Sequence, residues 1–105
     1  MSQSPLPQSL LDALAEVDTP TICNALEVVA PQRRGYGYTT HSMVVARPDL
    51  KPMVGFARTA TYRSMTPPDR PAPEMAAQRA AYYAYVEAGN RPGISVLQDL
   101  DPEPG

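Results

Sequence analysis

Apolar residues recur at helical spacing in the first third of the chain and predict two short amphipathic helices. The first is predicted from Ser9, an N-cap with Asp12 three residues later, to Asp18. The second is predicted from Thr19 as N-cap, with Pro20 at the first helical position, and Pro31 ends it. Their apolar faces comprise Leu10, Leu11, Leu14 and Val17 in the first helix and Ile22, Ala25, Leu26 and Val29 in the second. Neither face can be buried by its own helix, so each helix needs a surface to pack on.

Strand and helix patterns follow in the rest of the chain. Short strands are predicted over residues 43–46 and 94–97 and a longer one over residues 53–63, because these runs are apolar and β-branched. A third helix opens at Pro73-Glu74 and ends at Gly89-Asn90. The order helix, helix, strand, strand, helix, strand predicts an α/β fold. Its last three elements form a βαβ unit, which implies a parallel pair of strands.

Length, net charge and cysteine count indicate the size of the protein and the compartment in which it occurs. The chain has 105 residues and a net charge of −2, which predicts one small domain without the basic face that nucleic acids need. Residues 1–8 are a polar lead-in, and residues 9–105 carry the domain. One cysteine, Cys23, favours a reducing compartment. No apolar run approaches the length of a membrane span, and no secretory signal is present, so we expect a cytoplasmic protein.

Two aspartates follow the last predicted strand and are the main candidates for a site. Ligands of α/β proteins collect beyond the carboxyl ends of strands, which places Asp99 and Asp101 at the rim of such a site. Carboxylates of this kind bind Mg²⁺, but aspartates are also common in solvated turns. Both interpretations stay open. Arg58, in the middle of the long strand, lies either at a sheet edge or paired in a site.

Other chemistry-bearing residues give weaker hypotheses. The loop over residues 31–42 is basic and aromatic, so it either contacts an anionic ligand or RNA or is an ordinary solvated loop. Its candidate residues are Arg33, Arg34, Tyr36, Tyr38 and His41. Cys23 is interpreted as a small buried hydrophobe, and the single histidine does not support a zinc site. Tyr82, Tyr83 and Tyr85 favour core and interface cover over a stacking platform.

Three segments together resemble a known family. They are Thr19-Pro-Thr-Ile-Cys-Asn-Ala-Leu26, Val54-Gly-Phe-Ala-Arg-Thr-Ala60 and Gly93-Ile-Ser-Val-Leu-Gln-Asp99. In order and spacing they resemble the N-terminal half of the RraA-like family, named for the regulator of ribonuclease activity A. That family includes 4-hydroxy-4-methyl-2-oxoglutarate aldolases and proteins labelled demethylmenaquinone methyltransferase-like. The resemblance covers residues 9–105. Asn24 departs from the Asp that many relatives carry.

The resemblance implies a partial three-layer α/β domain with a swivelling sheet. It implies a trimer-type homo-oligomer or a complementary C-terminal segment as partner. It also implies a class II aldolase that uses Mg²⁺ or Mn²⁺ and an arginine to cleave small 2-oxo acids and release pyruvate.

This sequence lacks the family's Gly-Glu helix start and its Gly-rich strand ending in Arg-Asp. No residue here therefore inherits a catalytic, metal-binding or substrate-binding role, and the chain alone is expected to be inactive. Asp99 and Asp101 are expected beside the site without contacting the metal. The alternative is a non-catalytic, protein-binding regulator that uses the loop from Arg33 to His41. A small RNA-binding module is a third possibility that the acidic net charge disfavours.

Overall fold

A computed structural model describes residues 4–37 and 39–103 of the chain. Its helices are α1 (Gln8–Ala15), α2 (Thr19–Val29) and α3 (Ala72–Glu87), with a 3-10 turn over Pro31–Arg33, and its strands are β1 (Phe56–Tyr62) and β2 (Gly93–Asp99). The fold is mixed α/β, as predicted. The chain divides into two compact units. We call Pro7–Val54 the helical unit and residues 4–6 with 55–103 the sheet unit.

The first helix of the helical unit starts without a side-chain cap. α1 begins at Gln8, with Pro7 as its N-cap, so the predicted cap, Ser9, is wrong by two residues. Proline fits this position because its extended backbone lets its carbonyl accept bonds from the first helical amides, and Pro7 O accepts from Leu10 N at 3.1 Å. Gln8 Nε2 donates to Asp12 Oδ1 at 2.8 Å across the first turn.

The cap of the second helix is Asp18 rather than Thr19. Asp18 Oδ1 accepts from Thr21 N at 3.0 Å and also from the Thr21 hydroxyl. These bonds, led by the one from the hydroxyl, hold the pKa of the Asp18 carboxyl below its ordinary value. Asp18 therefore caps the start of α2, although it was predicted to end the first helix. Pro20 lies in the first turn of α2, where its missing amide costs no hydrogen bond.

The predicted strand over residues 43–46 is absent. These residues form neither helix nor strand, and Met43, Val44 and Val45 are exposed. A strand exists only when its backbone pairs with another strand, and no described residue makes a backbone hydrogen bond to this segment. The composition of residues 43–46 is that of a strand, but the segment has no strand to pair with among the described residues.

The sheet unit is built on one parallel pair of strands, which confirms the predicted βαβ arrangement. β1 pairs with β2 in a register that runs from Phe56 opposite Gly93 to Tyr62 opposite Asp99. β1 is shorter than the predicted range of 53–63 and begins only after Gly55. A Cβ added to Gly55 would lie 2.8 Å from the Pro92 carbonyl oxygen, so the two backbones approach closely here and leave no room for a side chain.

Arg58 fastens β1 to the end of α3. Its Nε and Nη2 donate to the Tyr85 carbonyl oxygen at 3.1 and 2.6 Å, and its guanidinium carbon lies 3.8 Å from the centroid of the Tyr85 ring. Gly89 makes the space, because a Cβ there would lie 2.7 Å from Arg58 Cδ. Arg58 is thus paired within the fold, through hydrogen bonds and a cation–π contact.

The tyrosines of α3 do not form a core. The Tyr82 and Tyr83 rings lie 5.8 Å apart at their centroids and are tilted, while Tyr83 and Tyr85 are exposed. The core part of the prediction therefore does not hold for Tyr83 and Tyr85, and interface cover stays a prediction. Within the part of the chain that the structure describes, Leu11 is the only buried hydrophobic side chain, with 5% of its surface exposed.

Candidate functional site

The two candidate aspartates lie where the sequence predicted, at the carboxyl end of the parallel pair. β2 ends at Asp99, and Leu100 N donates to the Tyr62 carbonyl oxygen at 2.8 Å, which keeps the chain beside the end of β1. Because parallel strands end at the same edge, residues 63–66 after β1 lie opposite the end of β2, at residues 99–101. This juxtaposition decides what the carboxylates contact.

Asp101 is the most heavily hydrogen-bonded side chain at this edge. It is 8% exposed, and its Oδ2 accepts from Met65 N at 2.7 Å and Thr66 N at 2.9 Å. Its Oδ1 accepts from the Thr66 hydroxyl and from Arg63 Nη1 at 3.2 Å. One carboxylate thus holds two successive backbone amides, a hydroxyl and a guanidinium, and fixes the loop that follows β1.

Asp99 extends the same set of contacts. Its Oδ2 accepts from the Ser64 hydroxyl, and its Oδ1 accepts from Ser64 N at 3.4 Å and Asp101 N at 3.0 Å. Arg63 Nη1 also donates to the Leu100 carbonyl oxygen at 3.4 Å. We call Arg63, Ser64, Thr66, Asp99 and Asp101, with the Met65 amide, the carboxylate clamp.

Hydrogen bonds to the charged forms keep both aspartates ionised. The Thr66 hydroxyl, followed by the Met65 and Thr66 amides, holds the pKa of Asp101 far below its ordinary value. The Ser64 hydroxyl, followed by the Asp101 amide, lowers the pKa of Asp99. Burial and the neighbouring Asp101 charge oppose this shift without reversing it. Neither group is therefore poised to exchange a proton near neutral pH.

Donors from the protein engage the carboxylates of the clamp. Each carboxylate oxygen accepts at least one hydrogen bond, so Ser64, Thr66 and Arg63 already occupy part of the lone pairs that an ion would use. Across residues 4–37 and 39–103, no group of three or more acidic, histidine or cysteine side chains is placed to hold a metal. The sequence left two interpretations open, a Mg²⁺ site and solvated turn residues. The clamp favours a structural role, in which the aspartates bond to the loop after β1.

The basic loop of the helical unit forms only a shallow depression. Its cavity has a volume of about 50 Å³ and is lined by Cys23, Leu26, Glu27, Arg33, Tyr36 and Gly37. Organic ligands usually occupy ~300 Å³ or more. Arg34 Nε lies 3.6 Å from Glu27 Oε2, and Tyr36 OH donates to the Gln32 carbonyl oxygen at 2.7 Å. This loop can offer exposed side chains to a partner surface but does not enclose a small molecule.

Three other residues had been considered as candidates for a site in this unit. His41 is exposed, and Tyr38 lies outside the described residues. Cys23 is half-buried and lines the depression, so it is less buried than predicted.

Sequence reasoning missed the loop side of the clamp. Arg63, Ser64 and Thr66 were not singled out, yet a signal was present. The predicted parallel pair places the residues after its two strands at one edge, and two hydroxyls and a guanidinium facing two carboxylates are natural partners. Pairing the two strand ends before interpreting either one would have identified the donors.

Comparison with known proteins adds no further assignment. No family model matches the chain, and neither a curated protein nor a solved structure does. Among the helices of residues 4–37 and 39–103, none has the length and apolar character of a membrane span.

Proposed function

We propose that this chain is part of a divalent-metal-dependent aldolase or lyase of the RraA-like type. Its substrates would be small 2-oxo acids of the 4-hydroxy-4-methyl-2-oxoglutarate kind, cleaved with release of pyruvate. The observation that carries the proposal is the parallel β1–α3–β2 unit with Asp99 and Asp101 at its carboxyl end, the edge at which α/β enzymes bind ligands. The motif resemblance over residues 9–105 supports the same assignment, including a three-layer swivelling domain. A cytoplasmic location stays a prediction from the sequence.

In this proposal the clamp is a scaffold and performs no chemistry. Asp101 fixes Met65 and Thr66, and Asp99 fixes Ser64, so the loop after β1 keeps one conformation at the rim of the site. Mg²⁺ or Mn²⁺ and the substrate-binding arginine would be held by residues beyond those of this sequence. The partner would be a trimer-type homo-oligomer or a complementary C-terminal segment. The 105 residues alone are then inactive.

The coding DNA beyond Gly105 gives the first test. We expect it to encode Gly-Glu followed later by Gly-x-x-Arg-Asp, in or out of frame. A chain extended by that segment should release pyruvate from a 4-hydroxy-4-methyl-2-oxoglutarate-type substrate only when Mg²⁺ or Mn²⁺ is added, and the 105-residue chain should release none. Turnover by the short chain, or an extended chain with the motifs that stays inactive, would contradict the proposal.

The second candidate function is that of a non-catalytic, protein-binding regulator. The exposed side chains of Arg33, Arg34 and Tyr36 favour it, because they form a basic, aromatic surface without an enclosing pocket. Binding to a purified ribonuclease complex, measured by calorimetry, should be lost in the double variant Arg33→Glu, Arg34→Glu. The matched control is Arg79→Glu, on the exposed surface of α3. Equal binding by all three proteins would exclude this loop as the contact.

A further inference from the structure

The loop that follows β1 directs three successive backbone amides at carboxylates. Ser64 N donates to Asp99 Oδ1 at 3.4 Å. Met65 N and Thr66 N donate to Asp101 Oδ2 at 2.7 and 2.9 Å. Adjacent N–H groups that point to one side form a concavity of the kind that binds anions in proteins. All five residues belong to the sheet unit, so these contacts are internal to one unit.

The donors around Asp101 match the two oxygens of a carboxylate. Oδ2 accepts from the Met65 and Thr66 amides, while Oδ1 accepts from the Thr66 hydroxyl and from Arg63 Nη1 at 3.2 Å. Each oxygen thus accepts from two donors, and the guanidinium supplies the opposite charge. The donors all come from residues 63–66, whereas Asp101 lies 35 to 38 residues further along the chain. The loop therefore forms a binding site, and Asp101 is its ligand.

Asp101 is buried by this site and not by hydrophobic packing. It is 8% exposed, whereas the apolar residue before it, Leu100, is 43% exposed and Pro102 after it is exposed. A charged side chain is seldom buried unless its oxygens are bonded, so the donors of the loop are what keep Asp101 in place. The carboxylate is thus the point at which the residues after β2 are attached to the loop.

The charges at the site favour a ligand that carries one negative charge. Among the described residues, Arg63 is the cation that contacts Asp101. Asp99 brings a second carboxylate, which accepts from Asp101 N at 3.0 Å. A dianion such as phosphate would add repulsion beside Asp99, whereas a monocarboxylate replaces the Asp101 group without a change in charge. The ligand class that fits is therefore a planar, singly charged carboxylate.

We propose that residues 63–66 form a carboxylate-binding site that Asp101 occupies as an internal ligand and that a free carboxylate occupies when Asp101 leaves it. The two ligands exclude each other because they use the same donors, so binding of a free carboxylate releases the residues after β2 from the loop. Asp101 is attached to the chain and has a high effective concentration at the site, so a free ligand must be abundant or make additional contacts. The proposal rests on the contacts of the clamp and does not depend on any aldolase activity.

Removal of the internal ligand tests the site. In Asp101→Gly the donors lose their carboxylate, and amide exchange of Met65 and Thr66 should speed by about tenfold or more. Sodium formate is a small monocarboxylate, and at twice its Kd it should slow exchange of the same two amides about threefold. Sodium chloride at the same ionic strength should not. Absence of protection by formate at every concentration, or equal protection by chloride, would overturn the proposal.

Matched measurements separate binding at this site from a general effect of the salt. Formate should leave the exchange of Met65 and Thr66 unchanged in the unmodified chain, where Asp101 fills the site. Adding Arg63→Leu to Asp101→Gly should weaken formate binding about two- to fivefold, the usual value of an accessible ion pair. Inorganic phosphate should protect less than formate, and equal or better protection by phosphate would overturn the assignment to a carboxylate.

The amides of β1 and β2, followed in the same NMR spectra, show whether Asp101→Gly keeps the sheet unit folded. If the variant unfolds, formate should restore these amides as well, because a ligand that binds the folded state stabilises it. An unfolded variant that formate does not refold would overturn the proposal.

Discussion

The helical unit and the sheet unit are stabilised by different means. In the helical unit, most of the side-chain hydrogen bonds join residues two to four apart, as Gln8 to Asp12 and Thr21 to Asp18 do. Leu11 is the one buried hydrophobic side chain in the described helical unit, and the Lys51–Glu16 ion pair is an exposed long-range contact. In the sheet unit, Arg58, Ser64 and Thr66 reach partners 27 to 35 residues away.

The helical unit is thus stabilised mainly by contacts within single helices, and the sheet unit mainly by contacts between distant parts of the chain. Helix caps and short-range bonds stabilise α1 and α2 but do not fix a unique packing, whereas the clamp and the parallel register join distant parts of the chain. We therefore expect the sheet unit to respond to changes in polar and backbone contacts. The helical unit should respond mainly to changes at Leu11.

The largest effect is expected for Leu11→Ala. Removing a buried leucine side chain costs about 2–5 kcal/mol of unfolding free energy through lost burial and the cavity that remains. The control, Leu10→Ala, removes a 42% exposed neighbour on the same helix and should cost much less. Urea unfolding followed by circular dichroism compares them, and equal costs would show that Leu11 is not the centre of the helical unit's packing.

Gly55→Ala should disturb the sheet unit. The new Cβ would lie 2.8 Å from the Pro92 carbonyl oxygen and 3.0 Å from Ile94 Cγ1, so the start of the strand pair must shift. Overpacking of this kind costs about 1–3 kcal/mol. Gly93→Ala is the control, since its Cβ would approach Asn90 O only to 3.4 Å. Hydrogen exchange of the β1 and β2 amides measures both, and identical protection in the two variants would contradict the close approach of Gly55 to the Pro92 carbonyl.

The clamp predicts how stability depends on pH. Its aspartates have folded-state pKa values below their unfolded value of ~3.9, so their contribution is complete above that value and is lost as pH falls through the lower folded values. Asp101→Asn should flatten this acid-side loss and speed amide exchange of Met65 and Thr66 by about tenfold or more. Asp69→Asn, at an 86% exposed side chain, is the control. If Asp101→Asn loses stability at low pH to the same extent as the unchanged protein, Asp101 does not stabilise the fold through the clamp.

The smallest effect is expected for Arg58→Lys. Lysine keeps the charge but loses the paired donation to the Tyr85 carbonyl oxygen and the planar contact with its ring. The expected cost is about 0.5–1 kcal/mol, the usual value of a cation–π contact at an accessible site. Arg79→Lys on the exposed surface of α3 should be neutral by the same urea titration. A neutral Arg58→Lys would show that the stem of Arg58, and not its guanidinium, joins β1 to α3.

The sequence predicted those features that depend on local pattern or on topology. Proline and glycine positions located α2 and α3, and the βαβ order predicted the parallel pair and the edge at which Asp99 and Asp101 lie. Features that depend on a partner were missed. Residues 43–46 have strand composition but no strand to pair with, and Asp18 was assigned to the wrong helix because a cap lies between two elements. The role of the aspartates depends on Ser64 and Thr66, which only the register places opposite them.

The central claim is that Asp99 and Asp101 hold the loop after β1 through hydrogen bonds, and we expect from it that their oxygens are not metal ligands. Paramagnetic broadening by Mn²⁺ in amide NMR spectra tests it most directly. We predict that substoichiometric Mn²⁺ broadens the amides of residues 64–66 and 99–101 no more than those around Asp69, and that Asp101→Asn changes nothing in this response. Selective broadening of the clamp amides that disappears in Asp101→Asn would contradict the claim and identify the carboxylates as metal ligands.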